Sequence, residues 1–331
     1  MQVLSKKSGS LSLQRGFSLI EMMIAIPLGL LVMLAVLQIF TSSLQGVHLQ
    51  NGFARVQESG RMATELMIRD IRGADYWGCA GDVSQITNHL DTTDANYNQS
   101  ILPTAGAGLA GSNNVTSATI GGISVKDATD TLTLRGAGSL SGVKVTPPFM
   151  PTVAAVIHVD TTTTIPKGQV ILISDCREAD LFSNSQETKA NDGANSNIAH
   201  ATGNIVVSGA IDNATKDLSH TYDGSAQILS PFAKVYFIGV NASGTHSLYR
   251  SDNGVAKELV RGINDLQIMY GEDTSDNGSA DTFADAASVT NMDNVRSVRV
   301  ALTAESGESA SGTALEKTYQ VTANIRNRTL P

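Results

Sequence analysis

An α+β architecture is predicted, with one long N-terminal α-helix packed on a β-rich, mostly antiparallel head, and three features of the 331 residues predict it. Residues 17–40 form an apolar run whose only charge is Glu21. An amphipathic helical pattern follows directly. Beyond Gly73 the composition turns to Gly, Ser, Thr, Asn and Asp, with short β-type runs between turn clusters and no clear return of helical period.

Residues 1–16 (MQVLSKKSGSLSLQRG) are basic and polar, carrying Lys6, Lys7 and Arg15 with no acid. A secretory signal is cut beyond its apolar run, whereas here the basic segment precedes the run. Residues 17–40 (FSLIEMMIAIPLGLLVMLAVLQIF) make a helix of roughly 36 Å at about 1.5 Å per residue, long enough to cross a bilayer. The positive-inside rule keeps the leader cytoplasmic and sends the C-terminal body to the other side. Pro27 removes the hydrogen bond to the Met23 carbonyl, which costs a soluble helix about 3 kcal/mol. Pro and Gly are common in membrane helices, so Pro27 and Gly29 read as an ordinary kink.

Residues 41–75 continue the helix into the head. Phe53, Val56, Gly60, Ala63, Met67 and Ile71 fall on one helical stripe. Arg55, Glu58, Arg61, Glu65, Arg69 and Arg72 occupy the other faces as a solvated surface, with Glu65 and Arg69 spaced as an i,i+4 pair. Residues 76–331 are the head, in one lobe or two. Strands are expected at 131–135, 154–159, 169–174, 204–208, 233–240, 247–250, 266–270, 295–304 and 318–324. Polar or Gly-rich residues 98–114 and 183–197 read as long surface loops.

Charge and motif content exclude several functions. The formal net charge is −8, and removing the leader's three cations leaves −11, so no bulk attraction for nucleic acid is expected. Cys79 and Cys176 form neither a zinc-ribbon spacing nor a C-x-x-C motif. His48, His89, His158, His200, His220 and His246 make no H-E-x-x-H, and no G-x-S-x-G elbow or Walker loop is present, so no enzyme is indicated. Gly106–Gly111 matches G-x-G-x-x-G without a preceding strand and reads as a flexible loop. No cofactor is called for. Calcium is the one metal considered, because Asp273, Ser275, Asn277 and Asp281 stand at positions 1, 3, 5 and 9 of an oxygen-rich loop with Gly278 at position 6. Position 12 is Ala284 instead of the bidentate Glu, and an ordinary acidic Asn-Gly turn between strands is the preferred reading of the segment.

The junction Arg15-Gly16-Phe17-Ser18-Leu19-Ile20-Glu21 resembles the processing site of prepilins: a basic leader ending in Gly, an aromatic first mature residue, and Glu fifth in the mature chain. Words in the body resemble PilW-type minor pilins. They are Arg69–Cys79, Asp130–Arg135, Ser174–Phe182, Asn294–Val300 and Ile325–Arg328.

The resemblance implies cleavage by a prepilin peptidase after Gly16, N-methylation of Phe17, and an assembly contact in which Glu21 offsets the positive terminus of a neighbouring subunit. An ionisable group in an apolar membrane helix costs about 2.5–3.5 kcal/mol on insertion scales unless it is near an interface or partnered, which marks Glu21 as functional on physical grounds too. The partners implied are the peptidase, the other minor pilins and the major pilin, the inner-membrane assembly platform and the lipid bilayer. The head is then periplasmic, and later at the pilus or cell surface. Outside the inner membrane Cys79 and Cys176 are expected to form a disulfide. A structural minor pilin contributing to pilus initiation, near the tip, is the leading expectation. A minor pseudopilin of a type II secretion system shares the same signals, and a filament-displayed adhesin is the alternative from another class.

Gly16→Ala is expected to leave an uncut precursor in membranes on immunoblots, and mature-length chain in that variant would remove the cleavage assignment.

Overall fold

The computed structural model describes Gly16 and residues 18–79, 86–97, 108–192, 196–203, 205–241, 243–309 and 314–328. The leader to Arg15, the expected methylation site Phe17, most of the expected loop at 98–114 and the first two residues of the G-x-G-x-x-G word lie outside the described residues.

One helix, α1 (Leu19–Arg72), runs unbroken for 54 residues with Pro27 inside it. It stops at Gly73, whose N–H caps the carbonyls of Asp70 and Ile71. Its first half touches nothing: the large apolar side chains from Leu19 to Phe40 are all exposed. Its second half buries Gly52, Val56, Gly60, Ala63, Met67, Asp70 and Ile71.

Two expectations for this helix need correction. Phe53 is 51% exposed, and Gly52, one residue earlier, starts the buried stripe. A Cβ on Gly52 would meet Leu315 Cδ1 at 3.2 Å, so the helix approaches too closely there for a large residue. Glu65 pairs with Arg61 at 3.0 Å instead of with Arg69.

The head contains seventeen strands among the described residues. In chain order they are β1 (Ile86–Asn88), β2 (Leu109–Val115), β3 (Thr119–Ile120), β4 (Ile123–Val125), β5 (Thr129–Ser139) and β6 (Val143–Val145). Then come β7 (Ile157–Thr161), β8 (Val170–Ser174), β9 (Ala179–Ser183), β10 (Asn197–Ile198), β11 (Gln227–Val240) and β12 (His246–Asp252). The last are β13 (Val255–Arg261), β14 (Ile263–Glu272), β15 (Thr282–Ala284), β16 (Val295–Ser309) and β17 (Ala314–Asn324).

Ten strands form one sheet built around β11, three form β10-β7-β6, and four form β15-β14-β16-β17. Only the β1–β9 pairing is parallel. The four-stranded sheet carries the helix, since α1 packs on β16 and β17 and also touches β13. Between them lies a core of Val56, Ala63, Met67 and Ile71 against Leu266, Ile268, Val298, Val300 and Leu302. A second core, including Ile157, Ile171, Phe182 and Tyr222, fills the part of the head around β6–β10.

Six of the expected strands lie inside longer observed ones, 169–174 matches β8 to within a residue, and 154–159 overlaps β7 only from Ile157. Residues 205–208 are not a strand. There Ile205 is buried, Val206 is 92% exposed, and the Val207 carbonyl accepts from Ala210 N–H in a turn. A β-branched run takes its strand preference from packing on a pleated surface, and this run has no alternating buried face to supply it. Conversely, Leu109–Asn114, read as loop, belongs to β2 and pairs with β5. The polar stretch 183–197 is partly interior, with Asn184, Ser185, Thr188 and Ser196 buried. Asn184 Nδ2 donates to the Ile165 carbonyl and to Thr188 Oγ1, so side-chain hydrogen bonds replace a ladder there.

Gly60 fixes how closely helix and sheet approach. A Cβ placed on it would come within 2.1–2.6 Å of the Tyr319 ring edge, and that ring is tethered because its hydroxyl donates to the Val56 carbonyl at 3.2 Å. Gly60→Val is therefore expected to lower stability by about 1–3 kcal/mol, the usual cost of overpacking, measurable by chemical denaturation. Wild-type stability in that variant would show that the ring relocates without cost.

Candidate functional site

The site is the helix itself and the contacts that aim it. At its start Ser18 is the N-cap, and its carbonyl accepts from the N–H groups of Glu21 and Met22 at 3.0 and 3.1 Å. Glu21 sits at N3, with Oε2 3.4 Å from the Ser18 N–H, the position from which an acid reaches back over a helix terminus. Gly16 is exposed, and a Cβ there would meet nothing within 4 Å among the described residues. The fold gives no steric reason for glycine at that position.

At the other end Asp70 is the polar member of the buried stripe. Its Oδ1 lies 3.0 Å from Lys234 Nζ, and its Oδ2 accepts from Tyr236 Oη at 2.6 Å and Arg250 Nη1 at 2.9 Å. These three partners stand on the neighbouring strands β11 and β12. Burial pushes the Asp70 carboxyl up, but the Tyr236 hydroxyl, Lys234 and Arg250 together outweigh it and hold it below the ordinary value of 3.8. The spacing of Asp70 between Met67 and Ile71 was a sequence signal for a buried acid, while its cations, some 160 residues away, had none.

The segment after the helix is held by two further devices. Asp75 receives Trp77 Nε1 at 2.8 Å and pairs with Arg328 from the far end of the chain. Asn327 Nδ2 donates to the Ala74 carbonyl at 2.7 Å, and Arg328 also donates to the Met292 and Val295 carbonyls. Cys79 and Cys176 are joined as a disulfide with Cα atoms 4.6 Å apart across 97 residues. Closing a loop of that length is worth about 4–5 kcal/mol in the chain-entropy view. The bond ties the end of the helical region to the loop between β8 and β9.

Near that loop lies a polar cluster that sequence spacing did not reveal. Asp180 is buried and accepts from Ser219 and Tyr222 while contacting His89 Nε2 at 2.6 Å. Burial raises the Asp180 carboxyl, but His89, Tyr222 and Ser219 outweigh that and lower it. Ser219 Oγ lies 2.8 Å from Asp180 Oδ2 and 3.1 Å from His220 Nδ1, and His220 Nε2 lies 2.9 Å from Asp175. The carboxylate is the stronger acceptor and takes the hydroxyl proton, so this order of groups clamps residues 219–222 to β9 instead of activating a nucleophile.

The loop considered for calcium is closed by its own donors. Asp273 accepts from the N–H groups of Asn277 and Gly278 and from Arg296 Nε. Asp281 Oδ2 accepts from Thr274 and Ser275. No group of three or more His, Cys, Asp or Glu side chains with metal-holding geometry occurs among the described residues.

A long helix, bare and apolar over its first half and docked on a mostly antiparallel head over its second, is the architecture that the resemblance to prepilins led one to expect. Residues 11–37 match the prokaryotic N-terminal methylation motif, which spans Gly16, Phe17 and Glu21. Residues 235–327 match type IV pilus-assembly protein W, and this stretch includes Tyr236, Arg250, Tyr319 and the four-stranded sheet under the helix. By these two matches the chain is similar to PilW-like type IV pilins, and both matched families belong to pilus assembly and prepilin processing. No curated protein and no solved structure matches the chain.

Asp70→Ala is expected to cost about 1–3 kcal/mol, because it leaves the buried Tyr236 hydroxyl and the partly exposed Lys234 without their carboxylate, while Arg250 keeps Asp252. The folded-state carboxyl is depressed below 3.8, so its contribution is complete above the unfolded value and is lost as pH falls through the lower folded value. Thermal melts from neutral to about pH 2 should therefore show a shallower acid decline in Asp70→Asn than in wild type. Equal slopes would mean that Asp70 is not a source of acid lability.

Proposed function

We propose that this chain is a structural minor pilin that helps initiate a type IV pilus and stays near its tip. The observation that carries the reading is the continuity of α1, whose exposed apolar half is rigidly joined to a half locked in the head. A bare apolar rod of that length needs a bilayer before assembly and other helices after it.

In this reading residues 1–16 are the leader, 17–40 cross the inner membrane with the N-terminus cytoplasmic, 41–75 carry the helix into the head, and 76–331 lie in the periplasm. A prepilin peptidase cuts after Gly16 and Phe17 is methylated. The absence of any steric demand for glycine at position 16 supports a requirement imposed by a processing enzyme instead of by the fold. Once the chain begins at Phe17, the new amino group lies within a turn of Glu21, and in the filament Glu21 offsets that charge on a neighbouring subunit. An acid at a membrane-buried helix end fixes register, because a misplaced subunit leaves it unpaired. The partners are other minor pilins, the major pilin and the assembly platform. A head of roughly 250 residues suits a rare terminal position better than a close-packed repeating shaft.

Deletion of the gene, with electron microscopy of the cell surface, tests the role: few or no pili are expected, restored by wild type. Glu21→Val is expected to be processed but to restore pili poorly. Normal piliation in the deletion strain would overturn the assembly role, and full rescue by Glu21→Val would remove Glu21 from it.

A further inference from the structure

His200 follows β10 by two residues and is 3% exposed, in the part of the head filled by the second core. Its backbone is pinned on both sides. Ser185 N–H donates to the Ala199 carbonyl at 2.8 Å, and Ala201 N–H donates to Ser185 Oγ at 3.0 Å. The Phe182 ring stands edge-on to the imidazole, with centroids 5.4 Å apart. Held in this way, the ring meets a backbone carbonyl at each nitrogen, with Lys216 O 2.6 Å from Nδ1 and Ala155 O 2.8 Å from Nε2. A carbonyl oxygen only accepts, and a neutral imidazole carries one N–H. In the neutral ring one of the two contacts would therefore set a nitrogen lone pair against an oxygen lone pair. Both are hydrogen bonds only when the ring is doubly protonated.

The two carbonyls belong to different segments. Ala155 lies in the turn before β7, and Lys216 lies in the stretch that leads to Tyr222. Leu218 N–H also joins these segments, donating to the Val153 carbonyl at 3.0 Å. We propose that His200 is a proton-operated clasp, whose imidazolium fastens the Ala155 and Lys216 segments to each other beside the second core and whose neutral form releases one of them. The titratable groups acting on the ring are Asp180 on β9, which favours the imidazolium, and His89 just after β1, which opposes it. Burial pushes His200 down, the two carbonyls and Asp180 push it up, and the balance lies below the ordinary 6.5. The clasp is therefore open at neutral pH and closes in mild acid. Because the folded value is depressed, the contribution of His200 to global stability is present above 6.5 and is lost as pH falls through the folded value. Local fastening and global stability thus move in opposite directions, which separates a clasp from general softening by acid.

The test is hydrogen exchange of the full chain in detergent, read on peptides covering 153–155 and 216–218 and corrected for intrinsic exchange. Between about pH 8 and about pH 5 the wild type should gain about tenfold protection there, the scale of one charge-assisted hydrogen bond, while its melting temperature falls. His200→Gln has no ring proton to gain and should show the same protection at both pH values. Unchanged protection in wild type would overturn the clasp. A gain that survives in His200→Gln would overturn it too, since another group would then be responsible. Formation of the Cys79–Cys176 disulfide reports whether the variant folds. If it does not, wild type labelled with 15N-histidine decides: His200 should carry protons on both nitrogens at about pH 5 and on one at about pH 8. An unchanged proton count would overturn the proposal.

Discussion

The architecture depends on a carboxylate buried in a helix that has little else to orient it. Apolar packing of Val56, Ala63, Met67 and Ile71 on β14, β16 and β17 is strong but tolerant of sliding, since dispersion and hydrophobic burial are non-directional. Asp70 removes that freedom, because its oxygens are satisfied only when Lys234, Tyr236 and Arg250 on β11 and β12 are all in reach. A helix displaced by one turn would leave Asp70 without its donors and the buried Tyr236 hydroxyl without its acceptor. The ten-stranded and four-stranded sheets thus meet at the helix, one supplying the charges and the other the apolar bed.

The chain beyond Arg72 is fixed by devices of a different kind. Asp75 and Ala74 are held by Arg328 and Asn327, so the last described residues of the chain close over the end of the helix. The Cys79–Cys176 bond adds a covalent tie to the β8–β9 loop, next to the polar cluster around Asp180. Ion pairs weaken with salt or acid, whereas the disulfide does not, so the junction keeps a connection under conditions that loosen Asp70. That redundancy lies at the junction between the rod and the head, where any movement of the rod is transmitted to the head.

How much of this was legible in sequence follows from the range of each interaction. The rod, its apolar half and the strands of the helix-bearing sheet rest on local periodicity, and they were readable from Phe17–Phe40, the 56–71 stripe and Val295–Asn324. The stripe's first residue was misread because hydrophobicity favours Phe53, whereas close approach to Leu315 requires Gly52. β2 was hidden because Leu109–Asn114 is rich in Gly and Asn, and its pairing with β5 is a tertiary decision. The partners of Asp70 and Asp75 were invisible for the same reason: nothing local to Arg250 or Arg328 says which acid it will meet.

Two glycines show where the fold's demands stop and outside demands begin. At Gly60 the requirement is internal, since any side chain there collides with Tyr319, and the cost of replacing it falls on folding. At Gly16 no atom among the described residues stands within 4 Å of where a Cβ would be, so replacing it leaves packing untouched. The same contrast separates the two acids of the helix. Asp70 is surrounded by donors that the chain itself supplies, while Glu21 stands on an exposed apolar surface with the Ser18 amide as its hydrogen-bond partner among the described residues. Groups whose constraints the chain satisfies alone belong to the fold. Gly16 and Glu21 lack that internal closure among the described residues, which is why the proposed roles for them lie outside the fold.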